Sequence, residues 1–191
     1  MLKILVVDES RERASEIGVG LIRAGYQVAA VLPSAIDLAQ QVETVAPDVI
    51  LIDTESPSRD TLEHLATLNR ANPRPVLLFS RERDAAVIRS ALRAGVAAYV
   101  AETVAPEKLA SIVEVALVQF EQFQKLRQER DEASRKLAER VVIERAKGVL
   151  MKTKGMEEDA AYHALRKLAM ERGKRIVDIA QGVLDSAALL L

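Results

Sequence analysis

The sequence predicts an α/β chain: a doubly wound, five-stranded parallel sheet, then one long helix, then a small bundle of three helices. Three observations carry this reading. Short apolar runs rich in β-branched residues alternate with amphipathic stretches over roughly the first 120 residues. Neither Gly nor Pro interrupts the chain between Pro106 and Gly148. Charge is split along the chain, with 12 basic and 16 acidic side chains in residues 1–119 against 15 and 12 in residues 120–191. A uniform fold would not need that split, so it points to two parts with separate tasks.

The strands fall at residues 3–7, 27–32, 48–52, 75–79 and 97–101, nearly continuous in hydrophobicity, as both-face burial requires. Between them, residues 10–24, 34–45, 60–70 and 84–94 have helical spacing, and another helix starts near Ala105. Ser34 and Asp84 stand where N-caps are wanted, and Gly25 and Gly95 where helices end. The helical pattern then runs on past residue 120. Phe123, Leu126, Arg130, Ala133 and Leu137 are spaced 3, 4, 3 and 4, a heptad seam of about two repeats. Residues 119–140 are therefore read as a coiled-coil helix that pairs two copies of the chain; a plain solvated linker helix is the alternative. Beyond it, Gly155 and Gly173 divide the last fifty or so residues into three helices. The expected apolar face of the second is Ala161, Leu165, Leu168 and Ala169. That of the third, residues 176–191, is Ile176, Ile179, Ala180, Val183 and Leu184.

Composition narrows the function classes. Hydrophobic residues make up 49% and charged residues 29%, a globular balance. Zero Cys excludes a disulfide framework, a thiolate zinc site and a cysteine nucleophile, and two His cannot build a His-rich metal site. No apolar run reaches the ~18 residues of a membrane span, and the apolar start at residues 2–7 is too short for a signal peptide. A cytoplasmic protein with no membrane contact is expected.

In sheets of this kind functional residues gather at the carboxyl ends of the strands. Those ends carry Asp8 and Glu9, Asp53, Ser80 and Glu102. Converging carboxylates repel unless a cation intervenes, and hard oxygen ligands suit Mg2+. A carboxylate beside such an ion can act as a nucleophile toward a phosphoryl donor. Singly, each of these acids could do no more than cap the next helix.

With those residues in place, residues 1–118 resemble a response-regulator receiver domain, a flavodoxin-like fold. The resemblance makes Asp53 the phosphoacceptor position, Asp8, Glu9 and Asp53 the Mg2+ ligands, and Ser80 and Tyr99 the switch positions. One departure stands out: Glu102 occupies the place where receivers carry a Lys that neutralises the phosphoryl group. Two unit charges about 4 Å apart are worth roughly 4 kcal/mol at an effective dielectric near 20, so the exchange reverses a term of that order. Glu55 adds another acid near the acceptor. The expected consequence is a receiver switched mainly by a protein partner, with Arg59 or Arg81 as the alternative source of the missing cation. No cofactor is required; Mg2+ is the candidate ion.

The C-terminal segment is basic, with 10 basic and 5 acidic side chains in residues 140–175. Phosphates are the natural partners of such a cluster. Tyr162 lies one helical turn before Arg166, and an aromatic beside an Arg suits an unstacked RNA base. A solvated charged face, with Tyr162 packed inward, is the plain alternative. Ile143-Glu144-Arg145-Ala146-Lys147-Gly148-Val149-Leu150-Met151, followed by Ala160-Ala161-Tyr162 and Leu165-Arg166-Lys167-Leu168-Ala169-Met170, resembles the ANTAR domain of AmiR/NasT-type transcription antitermination regulators. The stretches 53–65 and 164–170 resemble the NasT branch. The resemblance implies three parts: a receiver-like domain at 1–118, the linker helix at 119–140 and an ANTAR RNA-binding domain at 141–191. It implies binding to paired hairpins in a leader mRNA, relief of termination at nitrate and nitrite assimilation genes, and inhibition by a nitrate-sensing, NasS-like partner. By position it nominates Arg145, Ala146, Lys147, Gly148, Met151, Lys154, Tyr162, Arg166, Ala169 and Met170 for RNA binding. Lys147, Lys154, Tyr162 and Arg166 are the expected direct contacts. Competing readings are a phosphorylation-activated regulator with the same output, a DNA-binding transcription factor, and an interaction module or Mg2+-dependent phosphohydrolase. Enzymatic activity is not expected.

Overall fold

The computed structural model describes residues 1–102 and 105–188. The chain divides into two compact units, Met1–Gln124 and Lys125–Leu191. In the first, the strands β1 (Lys3–Asp8), β2 (Gln27–Leu32), β3 (Val49–Thr54), β4 (Val76–Ser80) and β5 (Ala98–Val100) form one parallel sheet in the order β2-β1-β3-β4-β5. The helices are α1 (Arg11–Arg23), α2 (Leu38–Val45), α3 (Arg59–Ala71) and α4 (Ala85–Arg93), followed by a 3-10 turn at Pro106–Lys108 and α5 (Leu109–Lys154).

Two-residue periodicity sorts the strand side chains to the two faces. Leu5, Val7, Ile50, Ile52 and Leu78 pack with Leu38 and Val42 of α2, Leu65 and Leu68 of α3 and Ala91 of α4. Ile4, Val6, Val49, Leu51, Leu77 and Phe79 pack on the other face with Leu21 of α1 and Leu109, Val113 and Ala116 of α5. Each fully buried Leu or Ile contributes about 1.5–3 kcal/mol relative to an exposed one. This double layer holds the strand ends where the sequence places its acids.

Asp84 caps α4, its carboxylate accepting from Ala86 N–H at 2.6 Å. Ser34 does not cap α2, which starts instead at Leu38. Ala35 and Leu38 are both buried, and Leu38 N–H donates to the Ala35 carbonyl. The apolar spacing that suggests a helix from residue 34 thus belongs partly to a turn that tucks Ala35 into the core. Gly95 follows α4 at φ +97°, and a Cβ there would overlap the side-chain amide of Asn69. Gly95→Ala therefore loses about 1–3 kcal/mol, a cost typical of a residue forced into a sparsely populated backbone region. Denaturant unfolding measures this, and an unchanged midpoint would show that Asn69 yields without penalty.

α5 serves different surroundings along its length. Leu109, Val113 and Ala116 are buried against the sheet, whereas Phe123, Leu126 and Leu137 are 56%, 64% and 65% exposed. In the second unit, the end of α5 joins α6 (Glu158–Arg172) and α7 (Ile176–Ala188). Ala146, Leu165, Ala169, Ile179 and Ala180 form the buried centre, with Val142, Ile143, Leu150, Leu168, Ile176, Val183 and Leu184 packed around it. The apolar faces expected for α6 and α7 are the ones that meet here. Residues 189–191 of the expected third helix lie outside the described residues.

Candidate functional site

The acidic pocket comes from the register of the sheet. β1 pairs with β3 so that Asp8 lies directly beside Asp53, at the point where the strand order reverses. β4 ends alongside, pairing Ser80 with Thr54. Asp8 is 3% exposed. Its Oδ1 accepts from Ser10 N–H at 2.7 Å and from Arg13 Nη2 at 3.4 Å, while its buried Oδ2 has no hydrogen-bond partner. Arg13 also faces the second aspartate, with Nε 3.6 Å from Asp53 Oδ2.

Burial pushes the Asp53 carboxyl above the ordinary carboxylate range and the charge of Asp8 pushes the same way, while Arg13 and Arg81 pull it back. Desolvation works against the Arg13 cation, but its hydrogen bond to Asp8 and the charges of Asp53, Asp8 and Glu55 outweigh that and raise its pKa. A carboxyl with a raised folded-state pKa favours folding while protonated and loses that contribution as pH rises through the folded pKa. Asp53→Asn is therefore expected to raise the melting temperature at pH 7. The gain should shrink as pH falls below the carboxylate range, where Asp53 is neutral as well. Melts at pH 7 and pH 3 test this, and an equal gain at both, or a loss at pH 7, would contradict it.

The hydroxyl and aromatic positions are engaged by backbone. Ser80 Oγ donates to the Glu55 carbonyl at 2.9 Å and accepts from Glu82 N–H at 3.2 Å. Tyr99 Oη donates to the Glu82 carbonyl at 2.9 Å, which holds the ring half-buried against the core. Glu9 and Glu102 are exposed. Of the alternative cations, Arg59 pairs with Glu63 along α3, and Arg81 lies 3.8 Å from Glu55 and close enough to influence Asp53. The nearest cation, Arg13, is not one the strand-end motifs single out. Its signal is positional: it lies three residues beyond Ser10, whose side chain caps α1, so the first turn of that helix folds it back over Asp8.

The basic bundle separates the nominated residues into core and surface. Ala146 and Ala169 are buried in the bundle centre. Lys147 is 7% exposed, and its Nζ is 2.8 Å from Glu144 and 2.7 Å from Glu158. It ties α5 to the first turn of α6, so its charge is already matched. Hydrogen bonds to the two glutamates raise the Lys147 pKa, and the same bond to Lys147 lowers that of Glu158. The other nominated residues, Arg145, Gly148, Met151, Lys154, Tyr162, Arg166 and Met170, lie on the surface. Tyr162 is 40% and Met170 75% exposed, and Arg166 lies between them at helical spacing on α6. Among the described residues, Arg145, Lys152, Lys154, Arg166, Arg172 and Lys174 form no ion pair. Such a surface can accept polyanionic phosphates, with an aromatic ring available for stacking. Among the described residues no helix is long and apolar enough to cross a membrane.

Comparison with known proteins yields matches to both units. Residues 4–114 match the response regulator receiver domain, and residues 131–184 match the ANTAR domain. The transcriptional regulatory protein PdtaR of Mycobacterium tuberculosis is 23% identical over 96% of this chain and 90% of its own length. A nitrate regulatory protein of Klebsiella oxytoca is 51% identical, over only 28% of this chain and 13% of its own. A CheY-like receiver domain from Methanospirillum hungatei superposes with a TM-score of 0.56 at 21% identity, over 64% of this chain and 98% of its own, which supports the fold.

Receiver domains commonly use Mg2+ for phosphorylation. Here a guanidinium already lies between the two aspartates, Glu9 is turned out to solvent, and among the described residues no three acidic or His side chains converge on one point. A divalent ion between Asp8 and Asp53 would meet the Arg13 cation at close range. The expectation that Asp8, Glu9 and Asp53 together ligate Mg2+ does not fit this arrangement. The two aspartates meet, but a side chain from α1 takes the space between them.

Proposed function

Because the chain belongs to the response regulator receiver family and carries an ANTAR domain as its output, making it a transcription regulator, we propose that it is an RNA-binding antiterminator. It acts in the cytoplasm on paired hairpins of a leader mRNA and prevents the terminator from forming. The observation that carries this reading is the surface of α6, where exposed Tyr162 and Arg166 lie one turn apart and Arg166 and Arg172 have no ion-pair partner among the described residues, Lys167 being paired with Glu171. Aromatic stacking beside a phosphate-binding cation suits unpaired bases in RNA loops better than a duplex groove. Arg145, Gly148, Met151 and Lys154 on α5 and Met170 on α6 complete the proposed contact surface. Ala146 and Ala169 act from the core by letting helices approach closely, and Lys147 acts by fixing α6 to α5.

The regulatory part of the proposal is sequestration. A nitrate-sensing protein holds the regulator inactive, and release switches on nitrate and nitrite assimilation genes. The short match to a nitrate regulatory protein and the NasT-like stretches support it. Glu102 in place of a Lys argues against phosphorylation as the main switch. Two copies pair through residues 119–140, whose exposed Phe123, Leu126 and Leu137 need a partner surface.

A salt titration of binding to a two-hairpin leader RNA, with duplex DNA of equal charge as competitor, tests the output. Selective RNA binding with a steep salt slope is expected. Equal or better binding to DNA would replace this reading with a DNA-binding transcription factor. Incubation with Mg2+ and a small phosphoramidate donor tests the switch, and stable stoichiometric phosphate on Asp53 that alters RNA binding would overturn sequestration as the main control.

A further inference from the structure

The pocket at the ends of β1 and β3 holds two carboxylates side by side, one with a fully buried side chain. Unscreened, they would repel each other in a site that water reaches poorly. The side chain that resolves this is Arg13. Its Nη2 approaches Asp8 Oδ1 at 3.4 Å and its Nε approaches Asp53 Oδ2 at 3.6 Å, so one guanidinium spans both aspartates. The anchoring is local and reinforced. Ser10 N–H donates to the same Asp8 oxygen at 2.7 Å, and Ser10 Oγ accepts from Arg13 N–H at 3.4 Å. The Arg13 side chain is only 30% exposed. A planar fork of fixed charge suits this spanning task better than a flexible ammonium.

We propose that Arg13 is the resident counter-ion of the pocket, a guanidinium in the place between Asp8 and Asp53 that a divalent cation would take, so that the mutual repulsion of the two aspartates is offset in part without metal. In this arrangement Asp8 Oδ1 is committed to Ser10 and Arg13, while Asp8 Oδ2 and Arg13 Nε have no hydrogen-bond partner, the latter facing Asp53 as an ion pair at 3.6 Å. Removing the guanidinium frees both aspartates to share an ion, and Asp8 supplies the buried part of that site. The inference concerns the receiver pocket and is independent of RNA binding, so either can fail without the other.

The test is Mn2+ binding to the full-length protein, followed by the electron paramagnetic resonance signal of the free ion in metal-stripped buffer. Wild type is expected to show no saturable site below about 1 mM, whereas Arg13→Met, which keeps the apolar stem, gains one at least tenfold tighter. Arg13→Met combined with Asp8→Asn should lose it again. Circular dichroism melts confirm folding, and Arg13→Gln replaces Arg13→Met if the latter does not fold. Wild type binding Mn2+ as tightly as the Arg13 variant would overturn the proposal. So would a folded Arg13 variant that gains no site, because Arg13 would then not be what occupies the cation position.

Discussion

Arg166→Ala is expected to weaken binding to a two-hairpin leader RNA by roughly 10- to 100-fold while leaving the protein folded. Arg166 is exposed on α6 and forms no ion pair among the described residues, so its removal breaks no internal contact of that kind. It is exposed and lies outside the bundle's buried cluster of Ala146, Leu165, Ala169, Ile179 and Ala180, so bundle packing is spared. A cation that meets phosphate or stacks on a base is worth about 1–3 kcal/mol, which sets the expected range. Tyr162→Ala should lose a similar amount through stacking alone, and the two differ in salt dependence. Losing a phosphate contact lowers the slope of log affinity against log salt by about one, whereas losing a stacked ring leaves it unchanged. Binding isotherms at several salt concentrations separate the cases. An unchanged isotherm for folded Arg166→Ala would remove that residue from the interface.

Combined Leu126→Glu and Leu137→Glu substitutions are expected to turn a dimer into a monomer. Both side chains are about two-thirds exposed on α5, a waste of apolar surface unless another surface covers them. Burying each Leu contributes about 1.5–3 kcal/mol, so two per chain supply much of what offsets an association cost of about 4–15 kcal/mol. Replacing them with carboxylates removes that gain and places like charges across the seam. In the proposed seam Arg130, which pairs with Asp131 in the single chain, would be a polar position of the kind that fixes register and limits oligomer size at some cost in stability. Light scattering over a range of concentrations measures the outcome against the 20.9 kDa chain mass. A wild-type protein at monomer mass throughout would make residues 119–140 a solvated linker helix.

How much of this was legible beforehand varies by residue. The alternation of β-branched runs with amphipathic stretches is a local signal with two distinct periods, and the sheet it implies is the one observed, with its acids at the strand ends. Ser80 and Tyr99 could be nominated from the sequence, but not their partners. The Ser80 and Tyr99 hydroxyls bond to the carbonyls of Glu55 and Glu82, which are 25 and 17 residues away. The misplaced helix start at Ser34 arose because Ala35 and Leu38 have helical spacing even though the chain turns between them.

By itself, the sequence determined the elements, their order, the acidic strand ends, the unbroken helix and the basic character of the C-terminal unit, because periodicity and composition are properties of short windows. Tertiary structure alone decided which charges are free and which are matched. Lys147 looks like any other cation of the basic segment, yet it is buried between Glu144, one turn back, and Glu158, on the next helix. Arg13 looks like an ordinary solvated residue of an amphipathic helix, yet it lies between Asp8 and Asp53 because the turn after β1 reverses the chain and β3 lies alongside. Coulombic pairing depends on distance through space and on local dielectric, and neither is fixed until strands and helices from distant parts of the chain have packed.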